Sequence, residues 1–170
     1  MPQTIPLNAS PVIDVGVIPI EMPPGLELIS FDEAAGNLKD SESLSLNSFQ
    51  IKPRILFIQG RNLDENGKAG QWIFGINKGH INELRIYDSS GWTIIAWNNT
   101  ISADEIELDR IITPDILFDQ NKIQILKNSP SAIPAQWDIE LKNGTYTVMM
   151  TSGSTSEILR INAITGAAIE

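Results

Sequence analysis

The sequence predicts an α+β protein in which short helices pack on antiparallel meander sheets. Three observations carry that expectation. Two helix starts share one spelling, Ser30-Phe-Asp-Glu33 and Ser102-Ala-Asp-Glu105. In such a box the serine hydroxyl caps a first-turn amide and the glutamate reaches back to the cap. Short β-branched and aromatic runs are separated by Asn77-Lys-Gly79, Ser89-Ser-Gly91 and Asn143-Gly144, which are turn sequences between strands. Hydrophobic residues make up 42% of the chain and charged residues only 19%, enough apolar material for a core and too little charge for long disorder.

Taken in order, residues 1–25 carry Pro2, Pro6, Pro11, Pro19, Pro23 and Pro24. Proline fixes φ and removes a donor, so this stretch reads as a proline-rich extended arm or linker. Residues 12–20 within it are apolar enough for an edge strand, or are the tail of a tether. A first helix-plus-sheet unit spans residues 26–98. It opens with the Ser30 cap and a helix to about Lys39, ending near Asp40. Residues 41–48 read as a loop or weak strand, and 49–61 as a strand whose first half Pro53 demotes to an edge or bulge. Residues 63–70 read as a loop, and 72–76, 81–87 and 92–97 as a three-strand meander.

A second helix-plus-sheet unit spans residues 99–170. The Ser102 cap predicts a helix to about Ile112, and Thr113-Pro114-Asp115 a further helix to about Gln120, with proline at the first helical position. Residues 122–127 read as a strand and 128–135 as a loop. Strands follow at 137–141, 146–151, 157–163 and 167–169. Gln71-Trp72 and Gln136-Trp137 each open a strand. Together with the matched caps, they suggest an internal duplication.

The composition excludes several functions. With 21 acids against 12 bases the net charge is −9, and no Lys/Arg cluster offsets it, so the chain should not bind nucleic acid. The absence of cysteine removes disulfides, thiol catalysis and cysteine-based metal sites. No apolar run is long enough for a membrane span. The first residues lack a basic region and a continuous apolar stretch, so they are no signal peptide; an exported protein would have had its signal or anchor removed ahead of Pro2.

Nor does any constellation support catalysis. His80, the one histidine, follows Gly79 immediately after the turn, where the chain re-enters a strand, and Ser89 and Ser90 lie at the far end of that strand. Asp32, Glu33, Asp104 and Glu105 are explained as first-turn acids. Asp64-Glu-Asn66-Gly67 resembles the front of a calcium loop but lacks the spaced acids and closing glutamate. Gly153-Ser-Thr-Ser156 lacks a nucleophile-elbow context. The expectation is a protein that is not an enzyme and has no cofactor or metal.

The aromatic residues point instead to a surface. Trp72 and Phe74 are expected to face the helix together with Leu84 and Ile86. Glu83, Arg85 and Tyr87 would then lie outside, where they could pair with Lys78 or His80. Trp92 and Trp97 fall on opposite faces of their strand, so one of them is exposed or lies between the units. Tyr87, Trp92 and Trp97 are therefore the candidate binding surface.

The final stretch Glu157-Ile-Leu-Arg-Ile-Asn-Ala-Ile-Thr-Gly-Ala-Ala-Ile-Glu170 resembles the end of a PepSY-type domain, a strand running through an Asn-Ala-x-Thr-Gly turn into a short last strand. Ile29-Ser-Phe-Asp-Glu-Ala34 and Ile101-Ser-Ala-Asp-Glu-Ile106 resemble the family's helix start, and Ile86-Tyr-Asp-Ser-Ser-Gly91 would be the first copy's closing turn. The resemblance covers about residues 27–97 and 99–170. It implies cystatin-like α+β units in tandem, each a helix across an antiparallel sheet, in a secreted or cell-envelope protein with inhibitory, regulatory or binding roles. The functional expectation is a non-catalytic extracytoplasmic binding or regulatory module whose partner is a protein or peptide, such as a peptidase or an envelope protein. The alternatives are a structural cell-surface protein and a small-molecule sensor. An exposed sheet edge would favour strand addition, and an enclosed pocket lined by Trp72, Phe74 or Tyr87 the sensor.

Overall fold

The computed structural model describes residues 27–45, 51–128 and 136–170, so the arm expected over residues 1–25 lies outside the described residues. Helix α1 (Phe31–Ser45) precedes strands β1 (Arg54–Leu63), β2 (Ala69–Lys78), β3 (Ile81–Asp88) and β4 (Gly91–Trp97). Helix α2 (Pro114–Asn128) precedes β5 (Gln136–Lys142), β6 (Thr145–Ser152), β7 (Thr155–Asn162) and β8 (Ala168–Ile169). The strands form one antiparallel sheet in the order β4-β3-β2-β1-β5-β6-β7-β8. The fold is α+β and dominated by this sheet. Each half is a helix followed by a meander, and the meanders join through their first strands.

Both helices start where the local chemistry predicts. Glu33 donates its backbone N–H to Ser30 Oγ at 3.2 Å, and Pro114 opens α2 directly after Thr113. Helix α1 buries Phe31, Ala34, Ala35 and Leu38, a single stripe at helical spacing. It continues beyond the expected end at Asp40, through residues read as a loop or weak strand, to Ser45. Helix α2 buries Pro114, Leu117, Phe118, Asn121 and Ile125 on an equivalent stripe. The strand expected at residues 122–127 is therefore the second half of α2. Alternation would place Ile123 and Ile125 on one face, but Ile123 is 85% exposed and Ile125 is buried.

The second capping box fails as a helix start. Residues 101–112 form no α-helix; several of their amides bond instead to residues distant in sequence. Asp104 N–H goes to Asn143 Oδ1 at 2.9 Å, Ile106 N–H to the Ile55 carbonyl at 2.7 Å and Ile112 N–H to the Ala163 carbonyl at 2.8 Å. The segment also places Ile101 and Ile106 in different apolar clusters, which one helical face could not do.

Those clusters lie on the two faces of the sheet. The helix-side core contains Trp72, Phe74, Ile76, Tyr146, Val148 and Met150 among others. A smaller cluster on the reverse side holds Leu56, Phe57, Ile73, Leu84, Ile86 and Ile101. Leu84 and Ile86 thus face away from the helices, contrary to expectation. The reason is register: the β2–β3 hairpin pairs Lys78 with Ile81 and hence Trp72 with Tyr87 and Phe74 with Arg85. Directly opposed residues share a face. Arg85 and Tyr87 therefore lie on the helix side, and Arg85 is buried, reaching Glu83 at 2.6 Å and Ser41 Oγ at 3.3 Å. Glu83 pairs with Lys78 at 3.1 Å, on the helix side rather than on an outer face.

The Gln-Trp echo does not survive either, since Trp72 lies in the second strand of its meander and Trp137 in the first of its own. The position matching Trp72, counted back from the end of the second strand, is Tyr146. Both are buried, and each donates to the carbonyl two residues before its helix: Trp72 Nε1 to Ile29 at 2.9 Å and Tyr146 OH to Ile112 at 2.7 Å.

Candidate functional site

Strand β4 forms one edge of the sheet, and among the described residues no strand pairs with its outer side. Edge strands expose unpaired N–H and C=O groups, and proteins normally blunt them with charge, proline, a bulge or shortness. The opposite edge, β8, is two residues long. Strand β4 has seven residues, Gly91-Trp-Thr-Ile-Ile-Ala-Trp97, with no charge and no proline. Its register on β3 runs without a bulge from Asp88↔Gly91 to Asn82↔Trp97. Ile94 is 59% exposed and Ile95 39%.

The three aromatic residues singled out from the sequence all belong to this β3–β4 margin, but not to one surface. Tyr87 and Trp92 are directly opposed, with ring centroids 4.7 Å apart, and Trp92 packs on Phe74 at 6.0 Å. Both are half-buried on the helix side. Trp97 is half-buried on the reverse side, against the Leu84 and Ile86 cluster. Its Nε1 is shielded and has no hydrogen-bond partner among the described residues. Sequence reasoning missed Ile94 and Ile95, although an uncharged apolar run at a sheet margin was a readable signal.

The Gly91 end of the edge is acidic. A cavity of about 340 Å³ is lined there by Glu27, Glu33, Tyr87, Asp88, Ser90 and Gly91. Tyr87 OH donates to Glu33 Oε1 at 3.4 Å. Burial first, then the Glu33 charge and this hydrogen bond, raise the phenol above its ordinary value. Asp88 Oδ1 accepts from Ser90 N–H at 2.8 Å and Ser90 Oγ at 2.5 Å, closing the β3–β4 turn. None of Glu27, Glu33 and Asp88 makes an ion pair among the described residues.

Other sequence features resolve as structure. His80 is exposed in the β2–β3 turn. One Asp64 carboxylate oxygen accepts from Asn66 N–H and Lys68 N–H, both at 2.9 Å, as a turn does. Asn162 Oδ1 accepts from Ile164 N–H and Thr165 N–H, both at 2.9 Å, in the closing turn of the second half. A cavity of about 590 Å³ is bounded by Leu38, Ile55, Ile76, Ile106 and Leu108 and is open to solvent. Trp72, Phe74 and Tyr87, the residues a sensor pocket was expected to use, do not line it.

No family model matches the sequence, and no curated protein matches it. Among solved structures the fold is similar to that of a "putative lipoprotein" from Clostridium difficile 630, with a TM-score of 0.53. The likeness covers 84% of this chain and 91% of that one, at 10% sequence identity. At that identity it is a likeness of fold.

Proposed function

We propose that this protein is a non-catalytic extracytoplasmic binding or regulatory module that accepts an extended segment of a partner protein along β4 by strand addition. The observation that carries this reading is the edge itself, long, uncharged and free of bulges, with Ile94 and Ile95 exposed along it. An added strand would gain backbone hydrogen bonds along its length and apolar contacts on both faces. Placement outside the cytoplasm is supported by the fold likeness to the Clostridium difficile protein described as a "putative lipoprotein".

A peptidase or an envelope protein is the partner class that PepSY-type membership would imply. Supporting that membership are the order in each half, helix then antiparallel meander, and the two closing turns, where Asp88 and Asn162 each accept the N–H two residues on. The same features support reading residues 26–98 and 99–170 as two copies of one unit. A structural role in the envelope is the second reading, favoured by the β1–β5 seam that joins the halves in one sheet.

Strand addition is tested by selecting binders from phage-displayed random decapeptides and synthesising the best with backbone N-methyl groups on alternate residues. One alternate set faces β4 and should abolish binding, and the other should leave it intact. If both methylated forms bind like the parent, strand addition is wrong.

A further inference from the structure

Resting on the strand-addition reading, we infer that the segment accepted along β4 carries a lysine or arginine directly across from Trp92, and apolar residues across from Ile94 and Ala96. The edge determines the geometry. A residue added opposite Trp92 shares its face of the sheet, the helix side, where Trp92 opposes Tyr87 and Tyr87 meets Glu33 on α1. The next two positions on that face lie opposite Ile94 and Ala96, both exposed and uncharged, so apolar side chains fit there.

Charge complementarity selects the occupant of the first position. Glu27, Glu33 and Asp88 line the cavity at Gly91, they have no ion-pair partners among the described residues, and the whole chain carries a net charge of −9. A lysine or arginine stem can lie over the Trp92 and Tyr87 rings while its charged head reaches these carboxylates. An acidic residue there would meet like charge. The same cation one step along, opposite Ile94, would lie beside the Arg85 pair and gain nothing, so the preference is specific to register. A second copy pairing edge to edge would set an uncharged β4 residue, not a cation, against Trp92.

The test uses the decapeptides selected above. Peptides whose binding is lost on N-methylation of one alternate set should carry one Lys or Arg, with apolar residues at the second and fourth positions beyond it. Replacing that residue by norleucine should weaken binding about tenfold at low ionic strength, the sum of a cation–aromatic contact and an exposed ion pair. The Glu27→Gln/Glu33→Gln/Asp88→Asn variant should bind the parent and norleucine peptides more nearly alike, with circular dichroism confirming its fold. Edge-binding peptides with no basic preference, or an unchanged tenfold difference in the variant, overturn this inference and leave strand addition standing. Failure to select any edge-binding peptide overturns both. Dimerisation in sedimentation that Ile94→Lys abolishes, with no peptide selected, makes the occupant a second copy and likewise overturns the inference.

Discussion

Tyr146 shows how one side chain can tie a strand to a helix start. Its ring is buried in the helix-side core and its hydroxyl donates to the Ile112 carbonyl at 2.7 Å, just ahead of α2. Tyr146→Phe leaves that carbonyl without its partner and should cost about 1–2 kcal/mol in urea denaturation. Burial, and then the Asp115 charge, raise the phenol far above its ordinary value. The folded chain thus holds this proton more tightly than the unfolded chain, so stability is full below the unfolded value of 10.0 and falls as pH rises beyond it. The phenylalanine variant should show a shallower alkaline decline. Glu140 behaves in the same sense at lower pH. Burial raises its carboxyl, against the lowering effects of the 2.8 Å bond from Gln59 Nε2 and of Lys142. Its contribution is present below the unfolded value of 4.5 and is lost as pH climbs through the folded one. Glu140→Gln should therefore gain stability relative to wild type between mildly acidic and neutral pH, and equal melting curves across that range would count against this account.

At the scale of elements, two identically spelt caps have opposite fates, and substitution separates them. Ser30→Ala removes the oxygen that accepts the Glu33 N–H and should destabilise the protein by about 1 kcal/mol. Ser102→Ala removes no helix cap, because Asp104 and Ile106 donate to Asn143 and Ile55. It should stay within about 0.5 kcal/mol of wild type. Thermal melts of the two variants decide the matter, and equal losses would sink the assignment. The β2–β3 hairpin carries a second lesson. Alternation in residues 81–87 identified two sets of side chains but not which set faces the helices. The two-residue Gly79-His80 turn supplies that information, because it pairs Lys78 with Ile81 and all other partners follow.

For the molecule as a whole, the halves share one sheet and the helix-side core. Ile58 and Gln59 of β1 oppose Leu141 and Glu140 of β5, and the helix-side cluster draws on both meanders. Unfolding in urea should therefore be a single transition seen alike by tryptophan fluorescence and circular dichroism. Fragments 26–98 and 99–170, expressed separately, should each lack a cooperative transition as monomers, since each exposes the central edge that β1 or β5 otherwise covers. Two resolved transitions in the intact chain would refute that coupling. The sequence by itself determined the features whose hydrogen bonds close within a few residues: the Ser30 cap, the Thr113-Pro114 start and the turns at Ser89–Gly91, Asn143–Gly144 and Asn162–Gly166. Asn143 and Gly144, for example, adopt the positive φ values of 49° and 71° that such a hairpin turn requires. Only the tertiary structure decided what depends on distant partners. It drew residues 101–112 away from a helix, turned Leu84 and Ile86 to the reverse face, joined the meanders through β1 and β5, and left β4 at the margin. Local bonding is encoded in neighbouring residues, whereas register, facing and edge exposure are set by which strands meet.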